Sequence, residues 1–331
     1  MNWLLAVLIF LIIFISTIIF IKILLIQLKK RSILDVPNDR SSHSVPTPTG
    51  GGIAIIIIVC PALFYLGLLD YIPQIQANFL CLLCIILAVV CWVDDLYGLN
   101  PFFRLSIHCA SVLCAVLFGA IDGNVFGDIF TPALDKMITA VLWVLFMNLF
   151  NFMDGIDGII GVETLCIGFG IFILGVSGGI GYVGLILAAS AGGFLIMNWY
   201  PAKIFLGDVG SVPIGFIIGW ALLSLVAMGY WAPALILPGY FLFDAGITLL
   251  MRLVKRKKIW QAHRTHFYQK AIQSGKSHSQ VSSAVGLANG MLVIIAVTVS
   301  KEFQIEAVFL GLIVVSGLVF WMIKPFKESG K

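Results

Sequence analysis

The sequence predicts an all-α, polytopic integral membrane protein of about eleven transmembrane helices. Three observations predict it. Of 331 residues, 60% are hydrophobic and only 11% are charged, against about 25% charged in an ordinary soluble domain. The apolar residues fall in runs close to the roughly 20 residues that cross a bilayer. The charged residues collect between those runs, and the basic ones do so asymmetrically.

Taken in order, the runs give spans at about 2–28, 52–69, 78–93, 105–121, 136–150, 159–177, 181–198, 212–228, 231–250, 281–300 and 305–323. The first is too long and too uniformly apolar for a cleaved signal, and no small-residue cleavage site follows it, so it is expected as a retained helix. The breaks near Gly178–Gly181 and at Gly229–Tyr230 rest mainly on glycine. With eleven spans the two chain ends lie on opposite sides. One set of loops holds Lys29, Lys30, Arg31, Arg40, Arg104 and Lys203. It continues with Arg252, Lys255, Arg256, Lys257, Lys258, Arg264, Lys270 and Lys276, and ends with Lys324, Lys327 and Lys331. These are 17 of the 20 basic residues. Lys22 lies inside the first span, and Lys136 and Lys301 lie on the other side. Basic loops stay in the cytoplasm, so the N-terminus is expected outside and the C-terminus inside. Residues 1–331 then form one membrane-embedded domain with cytoplasmic loops 29–51, 94–104, 151–158, 199–211 and 251–280. Cys81 and Cys84 form a C-x-x-C among Leu and Ile, expected as apolar packing rather than a redox or metal site.

The polar motifs fall in the same loops: "DVPNDRSSHSVPTPTGGG" (35–52), "DDLYGLNPFFR" (94–104), "NFMDGIDG" (151–158), "NWYPAKIFLGDVGS" (198–211) and "HRTH" (263–266). Asp94–Asp95, Asp154–Asp157 and Asp208 follow the third, fifth and seventh spans, where a helix end is already negative. Two carboxylates about 4 Å apart repel by roughly 4 kcal/mol at an effective dielectric of 20. A divalent cation resolves that conflict, and oxygen donors without clustered Cys or His suit Mg²⁺ or Mn²⁺. Asn148, Asn151 and Asp154 share one broad helix face at i, i+3 and i+6. Their amides suit ligand oxygens or a base edge, or helix–helix hydrogen bonds. "TPTGGG" and "GDVGSVP" precede spans, so their N–H groups suit anions or their glycines suit close packing. Ser211 is expected as an N-cap with Pro213 in the first turn. Lys255–Lys258 read as a lipid anchor. His263, Arg264 and His266 lie beyond it and suit phosphate or sugar. His43 is ambiguous, His108 is expected to be structural, and His278 is expected as a loop residue. Together these features point to a divalent metal, a nucleotide diphosphate ligand and phosphoryl transfer at the cytoplasmic membrane surface.

In this order, "NxxNFxDGxDG" and "NxxPAxxFxGDxGS" resemble the polyprenyl-phosphate N-acetylhexosamine-1-phosphate transferases of glycosyltransferase family 4. The likeness covers nearly the whole chain. Phospho-MurNAc-pentapeptide translocase is a more distant relative. The resemblance implies transfer of a sugar 1-phosphate from a UDP-amino sugar to undecaprenyl phosphate with Mg²⁺, releasing UMP at the bacterial inner membrane. It implies metal ligation by Asp208, with Asp154 on the metal or on the nucleotide. Asp94 and Asp95 match the acceptor-phosphate pair, the first of which is proposed to deprotonate or orient the acceptor. Asn198 and Phe205 match positions that hold the uracil, Phe205 by stacking. Asn151, Asp154 and Asp157 match the nucleotide wall, which Asn148 would extend. The loop with His263, Arg264 and His266 would touch the sugar. "HRTH" has two histidines where several relatives have three, and "SVP" precedes "TPTGGG" where the translocase is basic. Both differences favour an initiating transferase for O-antigen, lipopolysaccharide or another envelope polysaccharide. Relatives are often dimers, which leaves a homodimer open, and no nucleic-acid partner is expected.

Two other classes compete. An ion-coupled secondary transporter would carry acids near mid-span at broken helices, whereas span interiors here are nearly free of acids. A CDP-alcohol phosphotransferase would carry aspartates with an Ala-Arg pair, which this sequence lacks.

Overall fold

Lipid offers the backbone no hydrogen-bond partner, so each apolar run closes into a helix. The computed structural model describes residues 3–37, 42–121, 123–175, 178–257 and 263–324. Among them the helices are α1 (Trp3–Lys30), α2 (Gly52–Leu68), α3 (Gln74–Tyr97), α4 (Pro101–Leu117), α5 (Pro132–Phe152), α6 (Ile159–Leu174), α7 (Gly179–Asn198), α8 (Asp208–Ala227), α9 (Trp231–Ile236), α10 (Gly239–Val254), α11 (Phe267–Gln273), α12 (His278–Thr298) and α13 (Gln304–Ile323). A short antiparallel ladder, β1 (Leu34–Asp35) with β2 (Thr47–Pro48), lies between α1 and α2. Of the expected basic loop residues, Arg40, Lys258, Lys327 and Lys331 lie outside the described residues.

The all-α, polytopic reading holds. Seven helices, α1, α3, α5, α7, α8, α12 and α13, are long and apolar enough to cross a membrane. The apolar helices α2, α4 and α6 are shorter, at 17, 17 and 16 residues. At 1.5 Å per residue each reaches only about 25 Å. The ninth expected span, 231–250, is not one helix. It divides into α9 and α10 at Leu237–Pro238, where proline lacks the N–H that a continuous helix needs. The break between α6 and α7 and the one after α8 occur where the glycines place them; Gly229 takes φ +86°. The 251–280 loop carries the seven-residue α11, which the sequence reading does not anticipate.

Almost all of α7 and α8 is buried, at the centre of the bundle. By contrast α1 packs on α7 and leaves Leu4, Ile12, Ile19 and Ile23 exposed to lipid. Small residues set the closest crossings, because no water drives helices together in a bilayer. A Cβ on Gly184 would lie 2.6 Å from the Gly168 carbonyl, and one on Gly52 would collide with the Gly210 backbone. That second crossing presses "TPTGGG" against "GDVGS". The N–H groups of Gly51 and Gly52 donate to the carbonyls of Phe205 and Leu206, at 2.8 and 2.9 Å. Packing, not anion binding, therefore accounts for these two glycines. Cys60, Cys81 and Cys84 are buried and free, with the Cys81 thiol donating to the Cys60 carbonyl at 3.1 Å.

Polar groups inside the bundle are paired across helices. Nδ1 of His108 lies 3.1 Å from Oδ1 of Asn148, the partner that the sequence does not reveal. One interior acid stands out: fully buried Glu163 of α6 accepts from Nδ2 of Asn289 of α12 at 2.6 Å. The C-terminal ends of α3, α5 and α7, Asp244 in the first half of α10, and the starts of α2, α8 and α12 meet at one end of the molecule.

Candidate active site

At that end lies a polar cavity of about 530 Å³. Of the residues singled out in the sequence, Asp95, Asp154, Asp157, Asn198, Phe205, Asp208 and His263 line it. Asp94, Asn148, Asn151, Arg264 and His266 do not.

The acidic wall comes from three helix ends. Gly98, in the left-handed region at φ +70°, ends α3 just after Asp94 and Asp95. Asp94 accepts from the Leu99 N–H at 2.6 Å and forms an ion pair with Arg104. Nη1 of Arg104 also reaches Oδ2 of Asp208 at 2.9 Å. The two oxygens of Asp95 accept from the N–H groups of Asp208 and Val209, each at 3.2 Å. Asp95 therefore caps the α8 N-terminus by accepting from its free N–H groups. Asp208 begins α8 rather than following α7, and Ser211 lies inside α8, donating to Asn151 instead of capping. Protein groups thus hydrogen-bond Asp94 and Asp95. Among the described residues the Asp154 side chain has no such partner. Burial, and then Asp208, Asp95, Asp157 and Asp35, push its carboxyl up to about 8.

Among the described residues no three His, Cys, Asp or Glu side chains converge as metal ligands. The donor chemistry still fits Mg²⁺, which keeps several waters and binds through one or two carboxylates plus substrate phosphates. Asp208 and Asp154 supply hard oxygen donors and an excess of negative charge on one cavity wall.

The opposite wall is aromatic and amide-rich. The ring of His43 meets Phe205 edge-on at 4.9 Å. Oδ1 of Asn198 accepts from the Gly158 N–H at 2.9 Å, and its Nδ2 donates to the Ile204 carbonyl at 3.0 Å. The Asn198 amide therefore shapes the pocket that it lines. Asn148 bonds to His108 and to the Val144 carbonyl, away from the cavity. In Asp157, Oδ2 accepts from the Ala202 N–H at 2.9 Å and Oδ1 lies 3.1 Å from Nδ1 of His278.

The third wall is the "HRTH" segment, of which only His263 faces the cavity. Burial, then His266 and Arg252, lower its pKa to about 4, so it meets a ligand as neutral imidazole. His266 is buried, 3.1 Å from Asp244. The side chain of Arg264 lies outside the cavity, and its carbonyl accepts from Gln273. Asp244, fully buried in α10, accepts from Tyr240, Thr248 and the N–H groups of Phe267 and Tyr268 at 3.0–3.2 Å. It anchors α11 and so places Tyr268 and Gln269 on the cavity wall. Sequence reasoning missed Arg104 as a site residue, and it missed Asp244, Tyr268 and His278. The spacing Tyr240–Asp244–Thr248, one helix face at i, i+4 and i+8, is the one local signal for Asp244.

The model of glycosyl transferase family 4 matches residues 77–226, which include both paired-aspartate motifs and Asp208. A probable undecaprenyl-phosphate N-acetylglucosaminyl 1-phosphate transferase of Bacillus subtilis is 27% identical over 329 residues, covering 90% of this chain and 88% of the relative. A decaprenyl-phosphate N-acetylglucosaminephosphotransferase of Mycobacterium tuberculosis is 28% identical, covering 85% and 80%. A phospho-N-acetylmuramoyl-pentapeptide-transferase of Borrelia turicatae is 27% identical, covering 87% and 93%. Overall identity is nearly the same for all three, so substrate preference has to be read from individual residues. The order of the polar loops, their meeting in one cavity and these likenesses over most of both chains support membership of glycosyl transferase family 4, alongside the polyprenyl-phosphate hexosamine-1-phosphate transferases.

Proposed function

We propose that the chain transfers an N-acetylhexosamine 1-phosphate from a UDP-sugar to undecaprenyl phosphate, releasing UMP. One observation carries this reading. A single cavity joins an aromatic end, Phe205 and His43, to a carboxylate end, Asp95, Asp154 and Asp208, at the mouth of a bundle of apolar helices. A nucleotide diphosphate has matching halves: a base that stacks and phosphates that need a cation. The names of the Bacillus and Mycobacterium relatives supply the polyprenyl-phosphate acceptor.

In the reaction, an oxygen of the acceptor phosphate attacks the phosphorus that bears the sugar. A P–O bond forms there, the bond to the bridging oxygen breaks, and UMP leaves with that oxygen. Catalysis of this kind is mostly positioning and charge stabilisation. Asp208 would hold Mg²⁺ with Asp154 beside it, and the bound ion would neutralise the diphosphate. Asp95 faces the cavity, whereas Asp94 and Asp208 share Arg104, whose guanidinium would temper the negative charge of that wall. His263 and Gln269 face the region beyond the carboxylates and would meet the sugar. The chemistry would lie on the cytoplasmic face of a bacterial inner membrane, and its product would begin an O-antigen or another envelope polysaccharide.

The test is UMP release by purified protein with undecaprenyl phosphate, Mg²⁺ and a panel of UDP-N-acetylhexosamines. Release with at least one sugar, abolished by EDTA, is expected. A folded preparation that is silent with every sugar refutes the reading, and full activity in EDTA refutes the metal.

A further inference from the structure

His278 opens α12 just after its N-cap, Ser277. The residue is 7% exposed, and both ring nitrogens are engaged. Nε2 lies 3.1 Å from the Ser42 carbonyl. A carbonyl only accepts, so Nε2 carries a hydrogen. Nδ1 lies 3.1 Å from Oδ1 of Asp157 and 3.3 Å from the Asp157 N–H. The imidazole also packs against Tyr200, with ring centres 5.4 Å apart.

Those partners belong to three loops that are far apart in sequence, and each loop carries part of the aromatic end of the cavity. Ser42 precedes His43. Asp157 holds the Ala202 N–H, its carbonyl accepts from Ser282 at 2.7 Å, and Gly158 holds Asn198. Asn198 in turn fixes the Ile204 carbonyl, one residue before Phe205. Backbone bonds to Pro48 and Gly51 hold Phe205 itself, so the placement of His43 beside that ring turns on where Ser42 is held relative to Asp157. Among the described residues His278 is the side chain that bonds to both.

We propose that His278 is a positioning residue for the nucleobase of the donor: by bonding Ser42 and Asp157 together it holds His43 against Phe205, the aromatic pair on which a uracil ring would stack. The proposal rests on the reading of the donor as a uridine diphosphate sugar. Both ring nitrogens are taken up by protein, so His278 acts through the loops and not on the reacting phosphates. Among the described residues Asp95 and Asp208, on α3 and α8, share no hydrogen bond with it. Its loss therefore weakens nucleotide binding without slowing the chemical step.

The experiment measures UMP affinity by calorimetry, together with kcat and the KM values for donor and acceptor, on the full-length protein in detergent. His278→Ala is expected to weaken UMP binding and raise the donor KM by roughly tenfold, the loss of one hydrogen bond. In that variant kcat and the acceptor KM stay within about threefold, a change too small for loss of a catalytic group. His278→Gln can restore the bond to Ser42 and His278→Asn the one to Asp157, so each is expected to recover part of the affinity. A wild-type protein that binds no UMP overturns the donor reading itself. If the wild type binds UMP and His278→Ala binds it equally well, the positioning role is overturned. A fall in kcat at unchanged UMP affinity overturns it too. So does a parallel fall of every parameter and of the melting temperature in all three variants, which marks a purely structural residue.

Discussion

At the residue scale, the five acidic side chains differ in how their charge is met. Arg104 pairs with Asp94, N–H groups of the α8 N-terminus donate to Asp95, and the Ala202 N–H donates to Asp157. Asp208 shares Arg104, and Asp154 is left with a carboxyl raised to about 8. Its ionisation is disfavoured in the folded state, so this group leaves stability undiminished below its ordinary 3.8 and lowers it as pH rises toward about 8. A cation that binds the carboxylate displaces that proton. Calorimetry of Mg²⁺ binding near pH 7, in buffers of different ionisation enthalpy, is therefore expected to show proton release that Asp154→Asn abolishes. Binding without proton release in the wild type would separate Asp154 from the cation. Asp208→Asn is expected to lower turnover at least a hundredfold while the protein remains extractable and folded; near-normal turnover would remove Asp208 from the metal site. The carboxylates were legible in the sequence because acids are rare in this chain and cluster in motifs. Arg104, Asp244 and His278 were not. Their partners are set by which helix ends meet, and Arg104 lies 104 residues from Asp208.

At the element scale, apolar run length placed ten of the eleven expected spans on helices, because a bilayer rewards long, closed hydrogen-bond ladders. The run at 231–250 misled because α9 and α10 are both apolar; only Pro238 marks the break. The seven residues of α11 are too few for helical periodicity to show. Glycine in "TPTGGG" left two readings open in the sequence, and the contact with Gly210 decides between them. Gly52→Ala is expected to lower the melting temperature in detergent, since a Cβ would meet Gly210 backbone that cannot swing aside; overpacking of this kind costs about 1–3 kcal/mol. Gly246→Ala in α10 is the control, because nothing lies within 4 Å of its added Cβ. Equal behaviour of the two variants would show that the α2–α8 crossing is not tight.

At the scale of the whole molecule, one end collects both the charge and the site. Lys29, Lys30 and Arg31 end α1, Arg104 lies in the first turn of α4, and Lys203 follows α7. Arg252 and Lys255–Lys257 end α10, and Lys324 ends α13. Nζ of Lys276 reaches the Lys324 carbonyl at this same end. The other end holds Lys136 and Lys301 with Asp70, Asp128, Asp135, Glu302 and Glu306. Lys301 is tied there, its Nζ donating to the Met228 carbonyl at 2.9 Å and lying over the Tyr230 ring. Lys and Arg in short loops are held on the cytoplasmic side, so the polar cavity should open to the cytoplasm, where nucleotide sugars are made available. A cysteine placed at Ser274 or at Ser300, in a chain whose seven native cysteines are replaced, tests this directly. A membrane-impermeant maleimide added to intact cells is expected to label the cysteine at position 300 and to reach the one at 274 only after permeabilisation. The reverse pattern would put the cavity on the outer face, away from any cytoplasmic donor, and the transfer reaction would have to be reconsidered together with the topology.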